Sequence, residues 1–128
     1  MQVRQRAPAA TVVLITYPTI LPPDGTCPRL NLSEEQTRRS YQIGELLADT
    51  TRAAANDSGA LLVDMHRLGA DHHACSATPW TNGWKDIQGT PFHPTMLGAR
   101  ATARAIAAAL AAQTASSAPA TDLEESKP

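Results

Sequence analysis

The sequence is short of several features on which whole classes of protein depend. Its 128 residues include only two Trp, two Tyr, one Phe and two Cys. No run of apolar residues approaches the roughly 20 that a membrane-spanning helix needs, so we expect no membrane span. Lysine occurs only at Lys85 and Lys127, and the eleven basic residues are scattered along the chain. Because no basic stripe or Arg–aromatic pattern is present, the composition argues against a nucleic-acid partner.

The C-terminal segment is poor in large apolar residues. Residues 114–128 are rich in Ala, Ser, Pro, Glu and Asp and contain one large apolar residue, Leu123. Such a segment cannot bury enough surface to offset its ordering entropy. We therefore predict a disordered tail at 114–128 and a folded domain at 1–113, long enough for one modest core.

Short apolar runs alternate with helical patterns along the chain. Residues 11–16 are an unbroken, β-branched run, which is typical of a parallel strand covered on both faces. Ser33 begins a helix with a Ser-Glu-Glu-Gln capping box, and Gly59 ends it. A second short strand follows at 60–64, and Pro94 fits the first turn of a final helix.

The order of these elements is strand, long loop, helix, strand, long loop, helix. This alternation predicts an α/β fold with a short parallel sheet. Because two parallel strands leave both sheet edges open, the chain is expected to be part of a larger domain.

His93 lies where sites form in such folds, since ligands bind outside the carboxyl ends of parallel strands. One long loop follows Thr16, the other follows Asp64, and His93 closes the second. A histidine there can act as a general base because its unperturbed pKa is near 6.5. The residues alone also allow a helix-capping or surface histidine, which is the commoner role.

The two cysteines, Cys27 and Cys75, each lie in a predicted loop. Such a pair is typical of a disulfide in an oxidising compartment. Two free thiols in a cytosolic protein are the alternative, because the sequence does not show the geometry that a disulfide requires.

A zinc site is a further alternative at Asp71, His72, His73 and Cys75, since zinc takes four ligands of these types. It would need those side chains, or others such as His66, to converge. Nothing in the spacing requires that, so we favour a chain without a metal.

Several blocks along the chain together resemble a known family. They are Tyr17-Pro18-Thr19-Ile20-Leu21-Pro22, Cys27, Leu62-Val63-Asp64, Asp71-His72-His73-Ala74-Cys75-Ser76, Pro79-Trp80, and Pro91-Phe92-His93-Pro94-Thr95-Met96-Leu97-Gly98. In this order they resemble the C-terminal half of SGNH (GDSL-type) hydrolases, specifically the secreted esterase/lipase branch of actinobacteria. The resemblance covers about residues 6–110.

This resemblance implies part of a three-layer α/β/α, flavodoxin-like fold that hydrolyses carboxylic esters without a metal or cofactor. His93 corresponds to the catalytic histidine of the family, and Cys27 pairs with Cys75. An extracellular location is also implied. We nevertheless expect no export signal in this chain, because no small-residue cleavage site follows its first apolar run.

The chain departs from the family pattern at two points. It contains no Gly-Asp-Ser motif, and no Gly-x-Asn-Asp block precedes the first strand, so the nucleophile and the oxyanion-hole residues are missing. The family's Asp three residues before the histidine is Thr90 here. We take the Thr90 main-chain carbonyl as the group that orients His93, with Asp86 as a more distant alternative.

The expected function is therefore that of a Ser-His ester hydrolase to which this chain supplies the histidine. The acyl pocket would include Trp80, Trp84 and Tyr17, and the substrate would be a small acyl ester or lipid. A separate N-terminal half with the Gly-Asp-Ser motif is the expected partner. The alternative is a catalytically inert, truncated fragment or interaction protein.

Overall fold

The structure is a computed structural model that describes residues 2–85 and 89–116. It contains strands β1 (Val13–Ile15) and β2 (Leu61–Val63), helices α1 (Gln2–Arg6), α2 (Glu34–Ser58), α3 (Met65–Leu68) and α4 (Met96–Ser116), and a 3₁₀ turn at Ala70–His72. The predicted α/β alternation is confirmed. None of the helices in this part of the chain is long and apolar enough to cross a membrane.

The sheet consists of β1 and β2 in parallel, with Val13 opposite Leu61 and Ile15 opposite Val63. Helix α2 connects the two strands and packs against both, whereas α4 packs against β2. Ile15 is still 40 % exposed. The expectation that the first strand is covered on both faces is therefore wrong within the described residues, because a two-stranded sheet offers too few neighbours.

The ends of α2 follow the prediction. The Ser33 hydroxyl accepts the Gln36 N–H, and the Gln36 side chain accepts the Ser33 N–H in return. Gly59 closes the helix in the left-handed region, at φ 62°, where glycine has no steric penalty. The capping box at Ser33 and the glycine at Gly59 each depend on contacts within a few residues, so the sequence alone predicts both helix ends.

Helix α4 begins later than predicted. Pro94 does not enter its first turn but pairs with Thr81 in an antiparallel bridge, and the Thr95 hydroxyl caps the helix by accepting the Gly98 N–H. A contact distant in sequence therefore delays the helix start. The helix continues to Ser116, and the rest of the predicted tail lies outside the described residues.

One cluster of buried apolar side chains lies between the two long loops, while Val63 of β2 is buried within the sheet. Leu21, Leu30 and Ala74 are buried together, and Phe92 is among the partly buried residues packed against them. A disulfide joins Cys27 and Cys75 beside this cluster, with their Cα atoms 5.8 Å apart. The predicted disulfide is confirmed, and the alternative of two free thiols is wrong.

Buried threonines link the carboxyl ends of the strands to the loops. The Thr16 hydroxyl accepts the His66 N–H at 2.8 Å and donates to Asp64 at 3.1 Å. Thr19 donates to the His66 carbonyl at 2.6 Å, and Thr81 donates to the Thr19 carbonyl at 3.2 Å. These bonds satisfy polar groups that burial would otherwise leave unpaired.

Asp64 is the charged group at this junction. Arg52 donates to its two carboxylate oxygens, from Nε at 2.9 Å and from Nη2 at 3.1 Å. Partial burial acts to raise the pKa of Asp64, but the hydrogen bonds from Arg52, the Arg67 amide and Thr16 outweigh it, so the pKa lies below its usual value. These hydrogen bonds thus stabilise the ionised form of Asp64.

Removing the disulfide should destabilise the fold strongly. The bond closes a loop of 48 residues, for which the chain-entropy treatment gives about 4 kcal/mol. Denaturant unfolding of Cys27→Ala/Cys75→Ala should show this loss. The natural chain should show the same loss in free energy of unfolding only after the disulfide is reduced. Reductant should not change the free energy of unfolding of the variant. Equal stability of the natural chain with and without reductant would contradict the prediction.

Two helix glycines should respond oppositely to alanine. A Cβ at Gly98 would overlap the Trp80 carbonyl oxygen, whereas one at Gly44 would meet only His66 Nε2 at 3.8 Å. We expect Gly98→Ala to lower the free energy of unfolding by about 1–3 kcal/mol through overpacking. Gly44→Ala should raise it by about 0.5–1 kcal/mol through helix propensity. Thermal unfolding of both variants measures this difference, and stabilisation by Gly98→Ala would argue against the close approach of Trp80.

Asp64→Asn should remove part of the acid sensitivity of the fold. The pKa of Asp64 is lower in the folded chain than in the unfolded chain, where it is near 3.9. The contribution of Asp64 to the free energy of unfolding is therefore complete above about pH 5 and is lost as the pH falls through the folded-state pKa. At pH 7 the variant should lose about 2 kcal/mol, because Arg52 then loses its part-buried charged partner and keeps only the exposed Asp49. Asp49→Asn is the matched control, since Asp49 pairs with Arg52 at an exposed position; it should cost under about 1 kcal/mol. Identical pH profiles for Asp64→Asn and the natural chain, from denaturation at pH 3–7, would refute the assignment.

Candidate active site

His93 lies in an exposed turn immediately before Pro94, the residue that pairs with Thr81 ahead of α4. Tyr17, two residues after β1, donates its hydroxyl to the Phe92 carbonyl at 3.0 Å. This contact brings the turn to the carboxyl end of β1, the edge at which α/β folds place their ligands.

The His93 ring is oriented by a main-chain carbonyl, as expected, but by a different one. Its Nδ1 lies 2.9 Å from the Pro91 carbonyl oxygen. The Thr90 carbonyl instead accepts the His93 backbone N–H at 3.2 Å and the Asn82 side-chain amide at 3.3 Å. The predicted Nδ1 partner Thr90 is therefore corrected to Pro91, because the Thr90 oxygen is already occupied. The alternative partner, Asp86, lies outside the described residues.

The Pro91 contact determines which nitrogen of His93 can act as a base. A carbonyl oxygen only accepts hydrogen bonds, so Nδ1 must carry the proton. In the neutral ring Nε2 then holds the lone pair, on an exposed side chain. A neutral carbonyl stabilises the charged imidazolium less than a carboxylate would, but it orients the ring in the same way.

Two of the three predicted pocket residues contact this turn. Tyr17 does so through its hydroxyl, and the Trp84 ring lies 6.0 Å from the Phe92 ring in a tilted arrangement. Trp80 instead stacks on His72 at 4.2 Å, and its carbonyl accepts the Thr95 N–H before α4. The structure thus groups Tyr17 and Trp84 beside the turn and gives Trp80 a structural contact.

The zinc alternative finds no support in this geometry. Cys75 is oxidised, and His72 Nδ1 faces the Thr78 carbonyl at 2.8 Å. Burial lowers the pKa of His73, and its Nδ1 is buried without a hydrogen-bond partner. Among residues 2–85 and 89–116, no three His, Cys, Asp or Glu side chains are grouped to hold a metal.

Sequence reasoning missed the roles of Pro91, which lies in the turn, and of Asn82, which binds the turn from outside it. Pro91 contributes only a backbone carbonyl, which carries no side-chain signature. Asn82 is buried, and its backbone N–H donates to the His93 carbonyl at 2.9 Å. Its position inside an irregular segment carried no pattern that could have singled it out.

An apolar surface adjoins the site. A cavity of about 390 Å³ lies between residues 17–21 and α2, with Tyr41, Leu47 and His66 among its lining residues. Ile43, Leu46 and Leu47 lie on one face of α2 and are 58 %, 66 % and 64 % exposed. We call these three residues the α2 strip. Contiguous exposed apolar side chains of this kind mark an interaction surface.

Comparisons with known proteins agree with the fold. No family model matches the chain. It is 31 % identical over 93 residues to a lipase of Streptomyces rimosus. The aligned residues make up 73 % of this chain and 34 % of the relative. It is 35 % identical over 105 residues to Lipase 2 of Streptomyces coelicolor, covering 77 % and 35 %.

A solved structure gives the same result. Phospholipase A1 from Streptomyces albidoflavus matches with a TM-score of 0.69 and 28 % identity, over 87 % of this chain and 46 % of that protein. The chain therefore spans about a third of the length of the curated relatives. The chain belongs to the SGNH-type lipase branch, of whose fold it covers a part.

Proposed function

We propose that His93 is the general base of a Ser-His carboxylic ester hydrolase. The observation that carries this proposal is the 2.9 Å contact from Nδ1 to the Pro91 carbonyl, which leaves Nε2 as the acceptor. In the complete enzyme a serine would attack the ester carbonyl while Nε2 takes its proton. The same nitrogen then returns the proton to the leaving alcohol, and water repeats the cycle on the acyl-serine.

We infer that the nucleophile comes from outside the residues of this chain. The Ser33 hydroxyl is engaged as a helix cap. Ser76 Oγ is buried without a hydrogen-bond partner, and the residue follows a disulfide-bonded cysteine. Neither matches a serine exposed on a strand-to-helix elbow. The 128 residues contain no Gly-Asp-Ser motif.

A segment that carries this motif is the proposed partner, and the α2 strip is its proposed contact surface. The strip leaves three large apolar side chains in water, and burying each is worth about 1.5–3 kcal/mol. The two-stranded sheet also has unpaired edges, which further parallel strands would complete. The coverage of the relatives supports this, since more than half of the solved structure has no counterpart here.

The proposed substrate is an acyl ester or lipid. The similar proteins are described as lipases and a phospholipase A1, and Tyr17 and Trp84 provide exposed aromatic surface beside the His93 turn. The Cys27–Cys75 disulfide supports an oxidising, extracellular location. Ester hydrolysis by this route needs no metal or organic cofactor.

The 128-residue chain alone should show essentially no hydrolysis of p-nitrophenyl acetate. Serine, base and oxyanion donors act as a unit, and loss of the nucleophile costs about six orders of magnitude in a comparable hydrolase. Mixing the chain with an N-terminal segment of an SGNH-type lipase that carries Gly-Asp-Ser should produce activity. His93→Ala in the mixture should abolish it, whereas His72→Ala, the matched control away from the turn, should retain it.

Other outcomes of the same assay would redirect the proposal. Robust activity of the lone chain that disappears in Ser76→Ala would place the nucleophile at Ser76. A mixture that forms a complex but stays inactive would favour the inert fragment or interaction protein.

A further inference from the structure

The residue before His93 has an unusual backbone conformation. Phe92 has φ +61°, in the left-handed region that bulky side chains avoid. Among the described non-glycine residues only Asn31 shares a positive φ, and asparagine tolerates it. Such an outlier persists only where the surroundings over-determine it, and outliers of this kind cluster at functional sites.

The surroundings of Phe92 do over-determine it. Every carbonyl from residue 90 to residue 93 accepts a hydrogen bond. The donors are the Asn82 amide and the His93 N–H to Thr90, the His93 Nδ1–H to Pro91, the Tyr17 hydroxyl to Phe92, and the Asn82 N–H to His93. Apart from His93 itself, only Tyr17 and Asn82 supply these donors.

We propose that Tyr17 and Asn82 are positioning residues that hold the His93 ring with its proton on Nδ1. Tyr17 restrains the Phe92 carbonyl from the end of β1, at 3.0 Å. Asn82 restrains the turn at both ends, at 3.3 Å to the Thr90 carbonyl and 2.9 Å to the His93 carbonyl. Together they maintain the turn that aims the Pro91 carbonyl at the imidazole. This role rests on the proposed function of His93 as a base.

Each positioning residue has a setting that suits it to this role. Burial raises the pKa of the Tyr17 hydroxyl, so the group remains a donor throughout the neutral range. Asn82 is buried, and Gly89 makes room for its amide. A Cβ at Gly89 would lie 2.5 Å from Asn82 Nδ2.

The test reads the tautomer of His93 directly. In the full-length, ¹⁵N-labelled chain, long-range ¹H–¹⁵N spectra at a pH where the ring is neutral report the proton on Nδ1 or Nε2. The natural chain should show the Nδ1–H form. In Tyr17→Phe, which removes only the hydroxyl, the ratio of Nε2–H to Nδ1–H should rise about fivefold, the shift that loss of one ordinary hydrogen bond produces. Asn82→Ala should raise this ratio as well.

Tyr41→Phe is the matched control. It removes the same atom from the other tyrosine, whose hydroxyl interacts with Glu45 on α2, and should leave the His93 signals unchanged. An unchanged tautomer ratio in both Tyr17→Phe and Asn82→Ala, with backbone spectra that remain native, would overturn the positioning role. Because the measurement involves no serine and no ester, this result is independent of the mixing assay that tests the proposed function.

Discussion

The Cys27–Cys75 bond joins the two loops that leave the carboxyl ends of β1 and β2, and the rest of the structure depends on that junction. A two-stranded sheet buries too little apolar surface to define a core by itself. The buried cluster of Leu21, Leu30 and Ala74 lies instead between the loops that the bond connects. Phe92 packs against this cluster, so the cluster helps to position the turn that carries His93.

A second set of contacts anchors the start of each loop. Thr16 and Asp64, at the ends of the two strands, are hydrogen-bonded to each other, and Thr19 and Thr81 continue this buried network toward the His93 turn. Buried polar groups with all their partners present rigidify a structure. The chain therefore combines a well-defined site with a small sheet, which explains how His93 can be oriented although its own side chain is exposed.

The His93 ring is held in the orientation that the proposed base requires. Nδ1 is held by a neutral carbonyl and Nε2 is left as an acceptor, whereas the Ser33 hydroxyl caps α2 and Ser76 Oγ is buried. The α2 strip and the open sheet edges lie on the same small unit. The exposed strip and the open sheet edges have one common explanation, which is that the chain covers only part of the fold of its relatives.

The sequence by itself determined the features that arise within a few residues. Helix α2 and its caps at Ser33 and Gly59 follow from local hydrogen bonds, and the alternation of apolar runs with helices was sufficient for the α/β fold. The ordered family blocks predicted His93 as the site histidine, and they predicted the pairing of Cys27 with Cys75 that the structure contains. Only the tertiary structure decided that Pro91 rather than Thr90 holds the ring. That choice depends on the Phe92 backbone, and its partner Tyr17 lies 75 residues away, so no local pattern records it.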